Sequence, residues 1–174
     1  SEIYTFAVRN NLAENPGSAG LPGMGQILRV VRAGPDERVG PDDMMPFGET
    51  GEIIASMSSL DAFEGYWKRP DADEKAIRKG WYFTGDLGRF DENGEIYVLG
   101  RVDDMIISGG ENIYAEEVED VLAKSPNVLG VAVIGLPDER WGERVAAFIE
   151  PASEAASPES LDRFCLDSGL ARFK

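Results

Sequence analysis

Histidine is absent from this 174-residue sequence, and cysteine occurs once, at Cys165. The first absence removes imidazole bases, His-centred triads and His-ligated metals from these residues. The second removes any internal disulfide and fits a reducing compartment, so the cytoplasm is the expected location. No stretch approaches the roughly 20 consecutive apolar residues of a membrane helix, and no basic, apolar leader opens the chain, which argues against secretion. Basic residues are scarce too: 17 against 32 acidic, for a net charge of −15. Such a chain repels phosphate backbones and no local basic stripe offsets the balance, so no nucleic-acid partner is expected. Any chemistry here falls to carboxylates, arginine, lysine, backbone amides and a bound cosubstrate.

What is present is enough for one ordinary core or two small ones, with 43% hydrophobic residues. Residues 15–25 hold four glycines and two prolines and read as a looping connection. Gln26–Val31 and Glu52–Ser56 read as strands, with a Gly-, Pro- and Asp-rich segment between them, and residues 70–79 as a short surface helix before Gly80. Gly85–Phe90 and Glu95–Leu99 flank Asn93-Gly94, which tolerates the positive φ angles of a tight turn, and so form a hairpin.

After Arg101 the pattern changes. Tyr114–Ala123 places Val118, Val121 and Leu122 on one helical face, with acidic residues in the first turn. Val128–Ile134 and Arg144–Ile149 read as buried strands. Ser157-Pro158 is a helix start, Leu161, Phe164 and Cys165 share the following face, and Gly169 suits the helix end. Cys165 therefore reads as a core residue rather than a reactive one. A boundary near Asp103 separates a strand- and loop-rich region, 1–102, from an alternating helix–strand region, 103–174. The fold class is mixed α/β. Both termini look cut, since Ser1 opens without methionine and Lys174 stops just after a helical pattern.

Three stretches carry the chemistry: Gly80-Trp81-Tyr82-Phe83-Thr84-Gly85-Asp86-Leu87, Gly100-Arg101-Val102-Asp103-Asp104-Met105-Ile106-Ile107, and Ser108-Gly109-Gly110-Glu111-Asn112-Ile113. On these, the chain resembles the adenylate-forming superfamily of acyl-CoA synthetases, luciferases and peptide-synthetase adenylation domains. Within it, the likeness is greatest to aryl- and fatty-acid CoA ligases of the benzoate and chlorobenzoate type, and it covers nearly the whole chain. The resemblance implies the β-rich, distorted barrel-like end of a large N-terminal domain, 1–102, followed by an incomplete small α+β C-terminal domain, 103–174. It also implies the reaction. A carboxylic acid is activated with ATP and Mg²⁺ to an acyl-adenylate, the C-terminal domain rotates, and the thiol of CoA takes the acyl group.

Residue by residue, the resemblance gives Asp86 the ribose hydroxyls of the adenylate, for which an ionised carboxylate with several acceptor sites is suited. The local alternative is a turn aspartate bonded to nearby amides. Arg101 is implied to reach the ribose or phosphate region with its planar fork; the alternative is a surface ion pair to Asp103 or Asp104. Glu2, with Ser1 in place of the family's threonine, matches the catalytic glutamate that helps hold Mg²⁺, a hard cation suited to carboxylate oxygen. Asp103 matches the hinge, where a residue absorbs backbone rotation rather than doing chemistry.

Gly109, Gly110 and Glu111 belong to the loop that enters the active site for thioester formation, glycines there permitting close approach of the pantetheine arm. The alternative is a plain glycine turn before a helix. The Gly-Gly-Glu-Asn wording resembles CoA ligases more than adenylation domains or luciferases. Trp141 looks like the aromatic that packs near the CoA adenine, against the alternative of a half-buried structural ring. Trp67 and Trp81 read as structural.

The family's phosphate loop lies upstream of this sequence and its late catalytic lysine downstream, since Lys174 does not match that lysine's motif. The isolated chain is therefore expected to be inactive. Three other readings stay open: an adenylation domain that loads a carrier-protein thiol, an inactive relative serving as a binding or scaffold module, and a standalone binding protein evolved from a ligase tail. Nothing in the sequence supports an oligomer, and the acid remains unnamed, aryl or fatty.

Overall fold

The computed structural model describes residues 15–34, 39–60, 62–152 and 157–171, and the backbone of Phe6–Ala7. The chain divides into two compact units, Ser1–Val102 and Asp103–Lys174. The architecture is mixed α/β and rich in strands.

The first unit opens with a small antiparallel pair, β1 (Phe6–Ala7) and β2 (Leu21–Pro22). Its main sheet is built from β3 (Leu28–Val31), β4 (Gly51–Ser56), β5 (Ile77–Arg78), β6 (Trp81–Phe90) and β7 (Ile96–Arg101). The spatial order is β3-β4-β6, and β5 and β7 pair with successive parts of the far edge of β6. Every residue of β4 is buried. Its alternating side chains feed two cores: Ile53 packs with Val30 and Ile96, and Ile54 with Val31, Val39 and Phe83. A strand covered on both faces reads as a continuous apolar run, as Ile53-Ile54-Ala55 does.

Two local expectations need correction here. The surface helix, α1 (Pro70–Ala76), stops three residues short of residue 79. Ile77 and Arg78 instead extend to pair with Tyr82 and Trp81, and Ile77 packs on Ala55 and Tyr82. Burial of a β-branched side chain together with ladder bonds outweighs one more helical turn. In the β6–β7 hairpin, Gly94 alone of the Asn-Gly pair takes a positive φ, 78°. The loop is organised by Asp91, whose Oδ1 accepts from the Asn93 N–H at 2.9 Å and the Glu95 N–H at 2.8 Å. An aspartate that closes its own turn removes the need for a two-residue turn.

A short 3₁₀ turn, Val102–Asp104, runs across the boundary, and the second unit continues with β8 (Met105–Ser108) and β9 (Glu111–Tyr114). Then follow α2 (Ala115–Leu122), β10 (Val128–Asp138), β11 (Gly142–Pro151) and α3 (Pro158–Asp167). The sheet order is β10-β11-β8-β9, the two hairpins meeting at the Gly142–Ser108 pair. Val118 and Leu122 of α2 and Leu161 of α3 form one core with Ile106, Ile113 and Val133, and Cys165 packs against it half-buried. That burial pushes the Cys165 thiol above its ordinary value, as suits a packing residue.

Both ends of α3 are made by local chemistry. The Ser157 hydroxyl accepts from the Ser160 N–H at 3.2 Å. At the far end Gly169, at φ 88°, lets its N–H reach the Leu166 carbonyl and the Leu170 N–H reach that of Cys165, each at 3.0 Å. That pair of bonds is the Schellman closure, with Leu170 buried beside it.

β10 and β11 were expected to be buried strands, and they are not. Along both, Val133 alone is buried, while Ile134 and Phe148 are exposed. Val131, Val133, Val145 and Ile149 meet the helix-covered core, and the alternate residues look outward. The apolar runs in the sequence conceal a half-covered sheet, because Ala132, Ile134, Ala146 and Phe148 on the open face do not break the run.

Candidate functional site

Two residue groups merit attention, one in each unit. In the first, Asp86 and Arg101 are directly opposed on β6 and β7. The Arg101 Nη1 donates to Asp86 Oδ1, with the Asp86 side chain 19% exposed and that of Arg101 51% exposed. The two residues singled out for the nucleotide are thus cross-strand neighbours. Arg101 pairs with Asp86, because the antiparallel register sets its Cα opposite that residue.

Asp86 sits on an irregular stretch of β6. Across β4, Glu52 faces Leu87 and Ile54 faces Phe83, so Ile53 alone spans Thr84, Gly85 and Asp86. Gly85 has φ 72°, and a Cβ there would lie 3.1 Å from Arg101 Nη2. Glycine is needed twice over, for the left-handed backbone and for the guanidinium beside it. The buried Thr84 hydroxyl donates to the Ile53 carbonyl at 2.8 Å and accepts from the Asp86 N–H at 3.0 Å. The Gly85 N–H donates to Oε1 of the buried Glu52 at 3.1 Å.

Nearby, the buried Tyr82 hydroxyl lies 2.9 Å from that of Tyr66. Burial, then the bond to Tyr66, pushes the Tyr82 phenol well above its ordinary value; the negative charge of Asp86 acts the same way and Arg101 opposes it. The phenol therefore stays neutral and binds as a hydroxyl.

The second group gathers the residues expected around CoA. Gly109 and Gly110, at φ 60° and 89°, are the two-residue turn joining β8 to β9, with Ser108 opposite Glu111. The stretch expected as a loop is thus the tip of a hairpin, since two glycines at positive φ match the twist of paired strands. Against this tip lies the turn after β10. The Gly109 N–H donates to the Trp141 carbonyl at 2.8 Å. Asp138 Oδ1 accepts from the N–H groups of Arg140 and Trp141 at 2.9 and 3.0 Å, which holds its carboxyl below the usual aspartate value. The Arg140 guanidinium stacks 4.6 Å from the centre of the Trp141 ring, which is 48% exposed. Glu143 Oε2 accepts from the Ile107 N–H at 2.8 Å and ties the two hairpins together.

Asp103 lies exposed in the 3₁₀ turn and is the first residue of the second unit. Glu2 lies outside the described residues, and among those described no three His, Cys, Asp or Glu side chains gather as a metal site. Trp81 is partly buried beneath Arg29, 4.5 Å away, whereas Trp67 is 85% exposed, against the expectation of a structural role. Sequence reasoning passed over Glu52, Thr84, Asp138 and Glu143. A signal existed for the first, a carboxylate inside the apolar strand Gly-Glu-Ile-Ile-Ala. Among the described residues no helix is long and apolar enough to cross a membrane.

Residues 117–172 match the AMP-binding enzyme C-terminal domain. Over 175 residues the chain is 41% identical to 4-chlorobenzoate–CoA ligase of Arthrobacter sp, covering 99% of this chain and 33% of that enzyme. The chain belongs to the AMP-binding, adenylate-forming enzyme family. Another relative in this family is the 2-succinylbenzoate–CoA ligase of Geobacillus kaustophilus (strain HTA426), 41% identical over 176 residues, which cover 100% of this chain and 33% of the enzyme. Among solved structures, o-succinylbenzoate CoA synthetase (MenE) from Bacillus subtilis, in complex with the acyl-adenylate intermediate OSB-AMP, aligns with a TM-score of 0.79 and 34% identity. That alignment covers 98% of this chain and 33% of MenE. The chain therefore spans about a third of the length of the family members it matches.

Proposed function

We propose that this chain supplies the ribose-binding, hinge and thioester-forming segments of an AMP-forming acid–CoA ligase of the cytoplasm. The observation that carries the proposal is the Asp86–Arg101 pair. A carboxylate offers about four lone-pair sites, so Asp86 accepts from Arg101 and still accepts from both hydroxyls of a ribose. Arg101, half in solvent, carries the planar guanidinium fork that suits a ribose or phosphate oxygen. Thr84 and Gly85 leave the carboxylate little freedom, which lowers the entropy lost on binding.

The Gly109–Gly110 tip is proposed as the approach for the pantetheine arm of CoA. Gly110 has nothing within 4 Å of where a Cβ would stand, so the backbone there is open to a ligand. Trp141, its ring half-exposed and flanked by Arg140, offers a face for the adenine base, and the exposed Glu111, next after the glycine tip, is proposed toward CoA as well. Asp103 is the proposed hinge between the unit carrying the ribose residues and the unit carrying the tip. ATP, CoA and a carboxylic acid are the proposed substrates. Glu2 is the residue proposed toward Mg²⁺, which would offset the charge of the ATP phosphates.

Acid-dependent exchange of pyrophosphate into ATP by the full-length protein, followed by addition of CoA, tests the reading. Exchange with an aryl or fatty acid, and a CoA thioester on addition of CoA, is the expected result. Exchange that gives no thioester would transfer the assignment to a carrier-protein acceptor. Absence of exchange across both acid classes would overturn the ligase reading.

A further inference from the structure

The break in the β4–β6 ladder leaves three backbone groups without strand partners: the Ile53 carbonyl and the N–H groups of Gly85 and Asp86. Two side chains satisfy all three. Thr84 Oγ1 takes the Ile53 carbonyl at 2.8 Å and the Asp86 N–H at 3.0 Å, and Glu52 Oε1 takes the Gly85 N–H at 3.1 Å. Glu52 is 7% and Thr84 9% exposed. A regular ladder would need no side chain at this point, whereas here a buried carboxylate and a buried hydroxyl take the backbone groups instead. What the arrangement gains is geometry, since bulges re-aim side chains beside functional sites. Here the bulge carries Asp86, the residue that lies opposite Arg101 on β7.

We propose that Glu52 and Thr84 are positioning residues for nucleotide recognition, fixing the bulge from which Asp86 reads the ribose hydroxyls. The inference rests on the ribose reading of Asp86. Neither side chain touches the nucleotide; both act through the backbone of Thr84–Asp86. Thr84→Val keeps the shape and removes the hydroxyl, releasing the Asp86 amide and the Ile53 carbonyl together. Thr84→Ser keeps the hydroxyl. Glu52→Gln keeps an acceptor for Gly85 but drops the charge that strengthens the bond.

The test is equilibrium binding of ATP and 2′-deoxy-ATP to the full-length protein and to these variants, alongside Asp86→Asn, with thermal unfolding of each. The wild type is expected to prefer ATP and Asp86→Asn to lose that preference. Thr84→Val is expected to reduce the preference about fivefold or more, Glu52→Gln by less, and Thr84→Ser to stay within about twofold of wild type. Folded Thr84→Val and Glu52→Gln proteins that unfold at lower temperature yet keep the full preference would overturn the positioning role. So would failure of both to fold, which assigns the two side chains to stability alone. A wild type indifferent to the 2′-hydroxyl is a different failure, that of the Asp86 reading itself.

Discussion

Gly109 and Trp141 are locked to one another. The Gly109 N–H donates to the Trp141 carbonyl at 2.8 Å, and a Cβ on Gly109 would stand 2.8 Å from Cε3 of the indole. Gly110 is the natural control, left-handed like its neighbour but with open space around it. Replacing Gly110 with alanine therefore meets backbone strain alone, about 1 kcal/mol. Gly109→Ala adds displacement of the ring, for a total of about 2–3 kcal/mol. Chemical denaturation gives the energies, and the indole N–H resonance of Trp141 reports the displacement. Equal losses in the two variants, with that resonance unmoved, would show that the contact is slack.

Acid loosens the same turn from its other end. Asp138 is held ionised by the N–H of Arg140 and then that of Trp141, so its carboxyl titrates below an ordinary aspartate. A group depressed in the folded state contributes its stabilisation above the unfolded value, about pH 4, and loses it as the pH falls through the folded value. The amide resonances of Arg140 and Trp141 should shift with a midpoint below pH 4, and Asp138→Asn should abolish that transition. A midpoint at or above the ordinary aspartate value would contradict the hydrogen-bonded turn.

The Asp86–Arg101 pair gives a prediction that separates charge from shape. Asp86→Ala removes the carboxylate proposed to hold the ribose and the partner that Arg101 has across the strand pair, so on that proposal ATP affinity should fall about 10- to 100-fold. Arg101→Lys keeps the charge but loses the planar fork, and a smaller fall, about 3- to 10-fold, is expected. Titration calorimetry with ATP reads both. If Arg101→Lys binds as the wild type does, the guanidinium serves the strand pair and not the nucleotide.

How much of this was legible in the sequence depends on the range of the interaction. Ser157-Pro158 and Gly169 announced both ends of α3, because caps are made by residues within one turn of the helix they close. Val118 and Leu122 announced the buried face of α2 by their spacing. Asp86 and Arg101 were singled out by motif wording, yet their pairing was not, because it follows from a hairpin register that depends on one extra residue in β7. Glu52 to Gly85 and Glu143 to Ile107 span 33 and 36 residues and have no local period to betray them. The Gly109–Gly110 tip is the intermediate case. Its glycines were visible, but short strands of four residues on either side carry too little alternation to separate a hairpin from a loop.

Such a hidden tie also guards the sheet. β10 lies at the edge of its sheet, and the Val133 N–H is taken by Glu119 Oε1 of α2 at 2.7 Å. An unpaired edge amide invites pairing with another chain, and a carboxylate placed on it blocks that approach. Glu119→Ala should cost about 1 kcal/mol, since water replaces the lost acceptor at this half-exposed position. Its sharper consequence is local. Hydrogen exchange at the Val133 amide should accelerate, while that at Ile113, at the centre of the same core, should stay close to wild type. Glu119→Gln keeps an oxygen acceptor and should restore most of the protection. Uniform acceleration across β10 and β9 would mean instead that Glu119 supports the whole unit, and that the edge amide has no protection of its own to lose.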